Sequence, residues 1–243
     1  MTAKSSLLNF FDKSYIINLP ERTDRRQKME QELKLLGSVE PSRVVFFPAV
    51  KPADPGDFPS IGARGCFLSH LEVLKEAKRQ NLDNVLILED DLLFTRFLIK
   101  QQDEVVRELQ SLNWDMAYPG HALGLSPSSQ GIFHEYSEPL PLSHFMAINK
   151  TAIAQLVDFL EAVLMRPAGH PDGGPMHVDG AYSTFRLQHP QIVTLIAHPS
   201  LGLQRSSPSS IAGYKWFETL PVFTQVLDVA RNVKDWRTRN SAL

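Results

Sequence analysis

Strand and helix signals alternate along the first half of this chain, and that alternation predicts an α/β fold on a mostly parallel central sheet with flanking helices. Three short apolar runs carry the expectation, Tyr15–Ile17, Val44–Phe47 and Val85–Leu88; the last is bounded by polar residues, as a strand buried on both faces is. Between them lie longer stretches whose apolar residues recur at helical spacing.

In order, Ser14–Leu19 reads as the first strand, with Asn18 at its carboxyl end. Asp24 with Gln27 three residues on has the form of a capping box, so a helix is expected to start there. Met29, Leu33 and Leu36 are its apolar stripe and Gly37 its end. Val44–Phe47 is the second strand, and Pro48–Ser60, rich in Pro, Asp and Gly, is a loop. A helix over Ala63–Arg79 puts Phe67, Leu71, Leu74 and Lys78 on one face. Val85–Leu88 follows as a strand, then a helix to about Leu112 and a short strand at Asp115–Tyr118. The second half is less regular. Gly120–Gln130 is a loop, Ile132–Tyr136 and Phe145–Asn149 are strands, and Thr151–Leu164 is the clearest helix. Arg166–Pro175 is a Pro/Gly-rich loop, Asp179–Arg186 a short helix and Ile192–Ile196 a strand. Ser206–Gly213 is a polar loop expected to act as a lid, and Pro221–Leu243 is a helical tail with a charged end.

The strand at Val85–Leu88 ends in three consecutive acids, Glu89, Asp90 and Asp91. Carboxylates are costly to bury without a counter-charge, and open α/β sheets bind ligands beyond the carboxyl ends of their strands. A divalent cation is the simplest counter-charge. The competing reading is an acidic loop that caps the next helix.

The 243 residues suit a single domain, and 43% hydrophobic content can build its core. A net charge of −2 argues against nucleic acid as a partner. Cys66 is the one cysteine, which excludes an internal disulfide and a cysteine-rich zinc site and fits a cytoplasmic setting. Met1–Lys13 lacks the pattern of a signal peptide, and no apolar stretch approaches a membrane span. Peripheral membrane contact is left open.

Several blocks, in order, resemble glycosyltransferase family 25, which spans lipopolysaccharide biosynthesis enzymes and collagen galactosyltransferase relatives. They are Tyr15-Ile-Ile-Asn-Leu19 with Arg22 and Asp24-Arg25-Arg26, Gly65-Cys-Phe-Leu-Ser-His70, Leu86-Ile-Leu-Glu-Asp-Asp91, Trp114-Asp115, and His144-Phe-Met-Ala-Ile-Asn149. Pro20-Glu21 and Ser206–Ile211 depart from the family pattern. The resemblance implies a GT-A-like, Rossmann-like fold and an inverting hexosyl transfer from a UDP-sugar to a saccharide or glycoconjugate, with Mn²⁺ or Mg²⁺. It implies a nucleotide-sugar half over 14–119, an acceptor half over 120–215 and a tail over 216–243. Asp91 is then the metal ligand, with His198 after the Ile192–Ile196 strand as a second. Glu89 and Asp90 would hold the ribose or the donor sugar hydroxyls, Asn18 the nucleobase edge with Leu19 also on the donor, and Arg22 and Arg205 the diphosphate. Arg25 and Arg26 suit solvated helix positions equally well, and His70 may be read as packing or as site. Asp179 is the base that deprotonates the acceptor, with Asp115 as runner-up and a helix cap as the alternative role. Two other functions stand against this one. A metal-dependent phosphoesterase would use the same acids with His70, His144 and His198, but those histidines lack ligand spacing. A silent binding module would keep the fold without the chemistry.

Overall fold

The computed structural model describes residues 6–123 and 131–205. The expected lid at 206–213, the tail from Pro221 and residues 124–130 of the long loop lie outside the described residues. In chain order the elements are α1 (Leu7–Phe10), β1 (Lys13–Asn18), α2 (Thr23–Leu35), β2 (Val44–Pro48), α3 (Ile61–Arg79), β3 (Asn84–Glu89), β4 (Leu92–Phe94), α4 (Arg96–Ser111), β5 (Met116–Tyr118), β6 (Phe133–Glu135), β7 (Phe145–Asn149), α5 (Lys150–Leu164), α6 (Val178–Gln188), β8 (Thr194–Ala197) and β9 (Gly202–Gln204).

Seven strands form one sheet in the order β2-β1-β3-β7-β5-β8-β6, and β4 with β9 makes a separate two-stranded ribbon. β1 runs parallel to β2 and β3, and β5 parallel to β8. β7 is inserted antiparallel between β3 and β5, and β6 is antiparallel to β8. Five of the seven strands therefore point one way, and the expected α/β architecture is present.

The apolar runs are continuous because both sheet faces are covered. Tyr15, Ile17, Val85, Ile87, Met146 and Ile148 pack with α3, α5 and α6. Ile16, Leu86, Leu88, Phe145 and Ala147 pack with α1, α2 and α4 on the other face. Full burial of one such side chain contributes about 1.5–3 kcal/mol, so the register is firmly set, since a one-residue slip would exchange the faces.

The strand directions gather chemistry at one edge. The carboxyl ends of β1, β3, β5 and β8 and the start of β7 lie together there, bringing Asn18, Glu89, His121, His144 and His198 to one side. Asp115 and Asn149 lie at the opposite edge, where Asp115 Oδ2 accepts from Val193 N–H at 2.8 Å.

Two expectations change. No helix follows β3 directly: β4 intervenes, and α4 starts after Thr95, whose Oγ1 accepts from Leu98 N–H at 3.3 Å. The acids after β3 therefore do not cap a helix. The capping box at Asp24 is also absent. No side chain caps α2, and Asp24 instead takes the Arg22 guanidinium on both oxygens, at 2.9 Å each. Neither α1 nor β9 is expected from the sequence. β9 pairs Gln204 with Leu92 and so returns the late chain to the acids.

The β9 contact is tight. A Cβ on Gly202 would stand 2.6 Å from both Leu92 Cδ1 and Phe145 Cδ1. Gly202→Ala should therefore destabilise the protein by about 1–3 kcal/mol through overpacking. Urea unfolding with an unchanged slope and a lower midpoint is the expected outcome.

Candidate active site

The two-residue alternation of β3 divides the three acids. Glu89 follows Val85 and Ile87 onto the α3 face, whereas Asp90 falls on the α2 face. Asp90 is held there from two sides. Asn18 Nδ2 donates to its Oδ2 at 2.7 Å, and Arg25 Nη1 donates to its Oδ1 at 2.7 Å. The same Arg25 nitrogen stands 3.4 Å from Asp91 Oδ2. Arg25 is thus part of the site, and its side chain is 13% exposed. Arg26 is a surface residue, paired with Glu30 and stacked 4.2 Å over Phe46.

Asp91 is 9% exposed, and its Oδ1 has no hydrogen-bond partner. Burial, joined by the charges of Glu89 and Asp90, raises its carboxyl to about 7 against the pull of Arg25 and Gln204. Burial also pushes Glu89 up, but His70, His144 and Arg25 outweigh it and hold that carboxyl below its ordinary range. Asp91 is therefore the acid of the cluster whose charged form is least favoured and most in need of a counter-charge.

The segment Gly65–His70 explains itself by position. A Cβ on Gly65 would lie 2.8 Å from Val50 O. Ser69 Oγ, bonded to Gly65 O at 2.6 Å, accepts from Val50 N–H at 2.8 Å. These two residues seat α3 against the loop after β2. Cys66 and His70 then face Glu89, at 3.9 Å from Sγ and 3.8 Å from Nε2. His70 Nδ1 lies 3.0 Å from the Tyr182 hydroxyl. Burial, with Glu89, Asp179 and Asp91, raises the Cys66 thiol.

Other expected residues sit as follows. Asp179 opens α6 and accepts from Leu142 N–H at 3.0 Å and Gly180 N–H at 2.8 Å. It is near enough for its charge to act on Cys66 and Tyr118, so it belongs to the acid edge, and Asp115 does not. Leu19 directly follows Asn18, and its carbonyl accepts from Arg22 N–H at 2.8 Å. Arg205 donates its backbone N–H to Asp91 O at 2.6 Å, while its guanidinium lies 3.2 Å from Glu32. His198 follows β8 on the same edge, with its N–H on Ile132 O at 2.6 Å. Its neighbour His121 bonds Ala197 O through Nε2 at 2.6 Å and accepts from Leu123 N–H through Nδ1 at 3.2 Å. Burial lowers both His121 and His144, disfavouring their charged forms.

A profile described as "Glycosyltransferase family 25 (LPS biosynthesis protein)" matches residues 56–121. That stretch holds α3, β3 and all three acids. Over that stretch the chain is similar to family 25. Procollagen galactosyltransferase 1-B of Xenopus laevis is 32% identical over 129 residues, covering 45% of this chain and 21% of that protein. Procollagen galactosyltransferase 1 of Danio rerio is 33% identical over the same length and with the same coverage. Inactive glycosyltransferase 25 family member 3 of Homo sapiens is 27% identical over 129 residues, 45% of this chain and 22% of that protein. The chain thus spans about a fifth of the length of these relatives. A solved glycosyltransferase involved in glycosylation of the PBCV-1 major capsid aligns with a TM-score of 0.49 at 13% identity, over 81% of this chain and 93% of that one.

Two outcomes follow for this site. Arg25→Gln leaves Asp90 and Asp91 uncompensated and should cost about 3–5 kcal/mol, as breaking a largely buried ion pair does. Denaturant unfolding measures it. The second concerns pH. Asp91 titrates near 7 when folded and near 3.8 ordinarily, so its contribution to stability is complete below about pH 4 and lost as pH rises through about 7. A cation held by Asp91 would replace that proton. Any rise in melting temperature on adding Mn²⁺ should then be larger at about pH 8 than at about pH 6, and Asp91→Asn should erase the difference.

Proposed function

We propose that this chain is a metal-dependent, inverting glycosyltransferase that moves a hexosyl group, galactose or glucose, from a UDP-sugar to a saccharide or glycoconjugate acceptor. The observation that supports it most is the buried Asp91 carboxylate, one oxygen of which has no partner, at the edge where α/β sheets take ligands. The acids fit a divalent cation, because they offer oxygen donors and a surplus of buried negative charge. In this reading Asp91 holds Mn²⁺ or Mg²⁺, and His198 is the second ligand. The ion, when bound, supplies charge neutralisation for the departing diphosphate.

The chain's own groups do the rest. Asn18 and Leu19 line the approach for the base, and Glu89 presents a carboxylate to donor hydroxyls. Asp90 orients Arg25, and Arg22 and Arg205 are the guanidinium groups assigned to the diphosphate in this reading. Asp179 accepts the proton of the acceptor hydroxyl as that oxygen bonds the anomeric carbon and the bond to the diphosphate oxygen breaks. Its two backbone bonds leave lone pairs for that role. The names of the relatives supply a further reason to test galactose first.

The experiment is hydrolysis and transfer with a panel of nucleotide sugars, with and without Mn²⁺. Mn²⁺-dependent release of UDP is expected, and Asp91→Asn should abolish it. Asp179→Asn should lower transfer by about 10²–10⁴-fold while leaving UDP binding by calorimetry within twofold. Cleavage of simple phosphoesters instead would support the hydrolase reading. Silence with every donor would support a binding module.

A further inference from the structure

Cys66 and His70 stand four residues apart in α3, so both project from one face of that helix. Glu89 meets them from the end of β3, and the three ligand atoms lie within 4.8 Å of one another. The Glu89 oxygen is 3.8 Å from His70 Nε2 and 3.9 Å from Cys66 Sγ. A tetrahedral ion with bonds of about 2.0–2.3 Å spans ligand pairs of about 3.3–3.6 Å, so the two pairs that include Glu89 close by a few tenths of an ångström and the Cys66–His70 pair by at most about 1.5 Å. His70 is wholly buried, and its Nε2 has no hydrogen-bond partner. Its other nitrogen is anchored 3.0 Å from the Tyr182 hydroxyl. A ring fixed through one nitrogen, with the other turned toward a thiol and a carboxylate, is how a metal-bound histidine is oriented.

We propose that Cys66, His70 and Glu89 form a second cation site, separate from Asp91, that takes Zn²⁺. Sulfur and imidazole donors favour zinc, whereas Asp91 offers oxygen alone. As the ion binds, the thiol proton leaves to solvent and a sulfur–zinc bond forms, with no change of oxidation state. Three protein ligands leave one position for water. The assignment stands on this geometry whether or not the chain transfers sugars. If it does, zinc here withdraws Glu89 from the donor and inhibits.

The chain has one cysteine, so any thiolate–metal signal must come from Cys66. Co²⁺ serves as the spectroscopic probe, added to the full chain without nucleotide. A near-ultraviolet thiolate-to-cobalt charge-transfer band should appear, saturate at one ion per chain and disappear on addition of Zn²⁺. Cys66→Ser should abolish it. Tyr182→Phe, which keeps the ring and removes the anchor, should weaken Co²⁺ binding by about 10–100-fold, with thermal melts confirming that it folds. Asp91→Asn should keep the band while losing the Mn²⁺ response, so the two sites fail separately. Absence of the band in the folded wild-type protein overturns the assignment. So does a band that Tyr182→Phe and Glu89→Gln both leave unchanged, or one that Asp91→Asn removes.

Discussion

Three neighbouring carboxylates at the end of a core strand must be neutralised, and the organisation of this protein's acid edge follows from how that is done. Two unit charges 4 Å apart interact by about 4 kcal/mol at an effective dielectric of 20, which is a large part of a domain's total stability. The pleat of β3 relieves part of the repulsion by sending Glu89 and Asp90 to opposite faces of the sheet. Asn18 and Arg25 satisfy Asp90, and His70 favours a charged Glu89. Asp91 is left without such compensation, and burial with the charges of Glu89 and Asp90 raises its affinity for a proton.

Elements far apart in sequence converge on this edge. α2 brings Arg25, α3 brings Cys66 and His70, and α6 brings Asp179 beside them. The ribbon of β4 and β9 carries the chain from Asp91 away from the sheet and returns Gln204 and Arg205 to it. Gly202 permits that return, because the space above it is filled by Leu92 and Phe145.

The sheet and its helices were legible in sequence because their apolar runs are long and doubly buried, so periodicity reports them directly. The acid trio was legible for the same reason, as its charges interrupt such a run. Arg25 was not distinguished from Arg26, since both stand in one helix and only the tertiary path of Asn18 and Asp90 separates a buried guanidinium from a surface one. Asp24 resembled a cap because spacing cannot reveal that Arg22 competes for its oxygens. β4 and β9 are three residues each, too short to show a period, and exist through their pairing with each other. Asp115 looked like a base until strand direction placed it at the wrong edge, where it laces β5 to the start of β8.

The central claim is that the charge of Asp91 is met by a cation that also holds a diphosphate. A crystal structure of the protein soaked with Mn²⁺ and UDP, with the ion located by its anomalous scattering, tests it most directly. The account predicts Mn²⁺ on the Asp91 carboxylate next to the UDP, beyond the ends of β1 and β3. Density for UDP with Asp91 still turned to Arg25 and no ion on its carboxylate would contradict it.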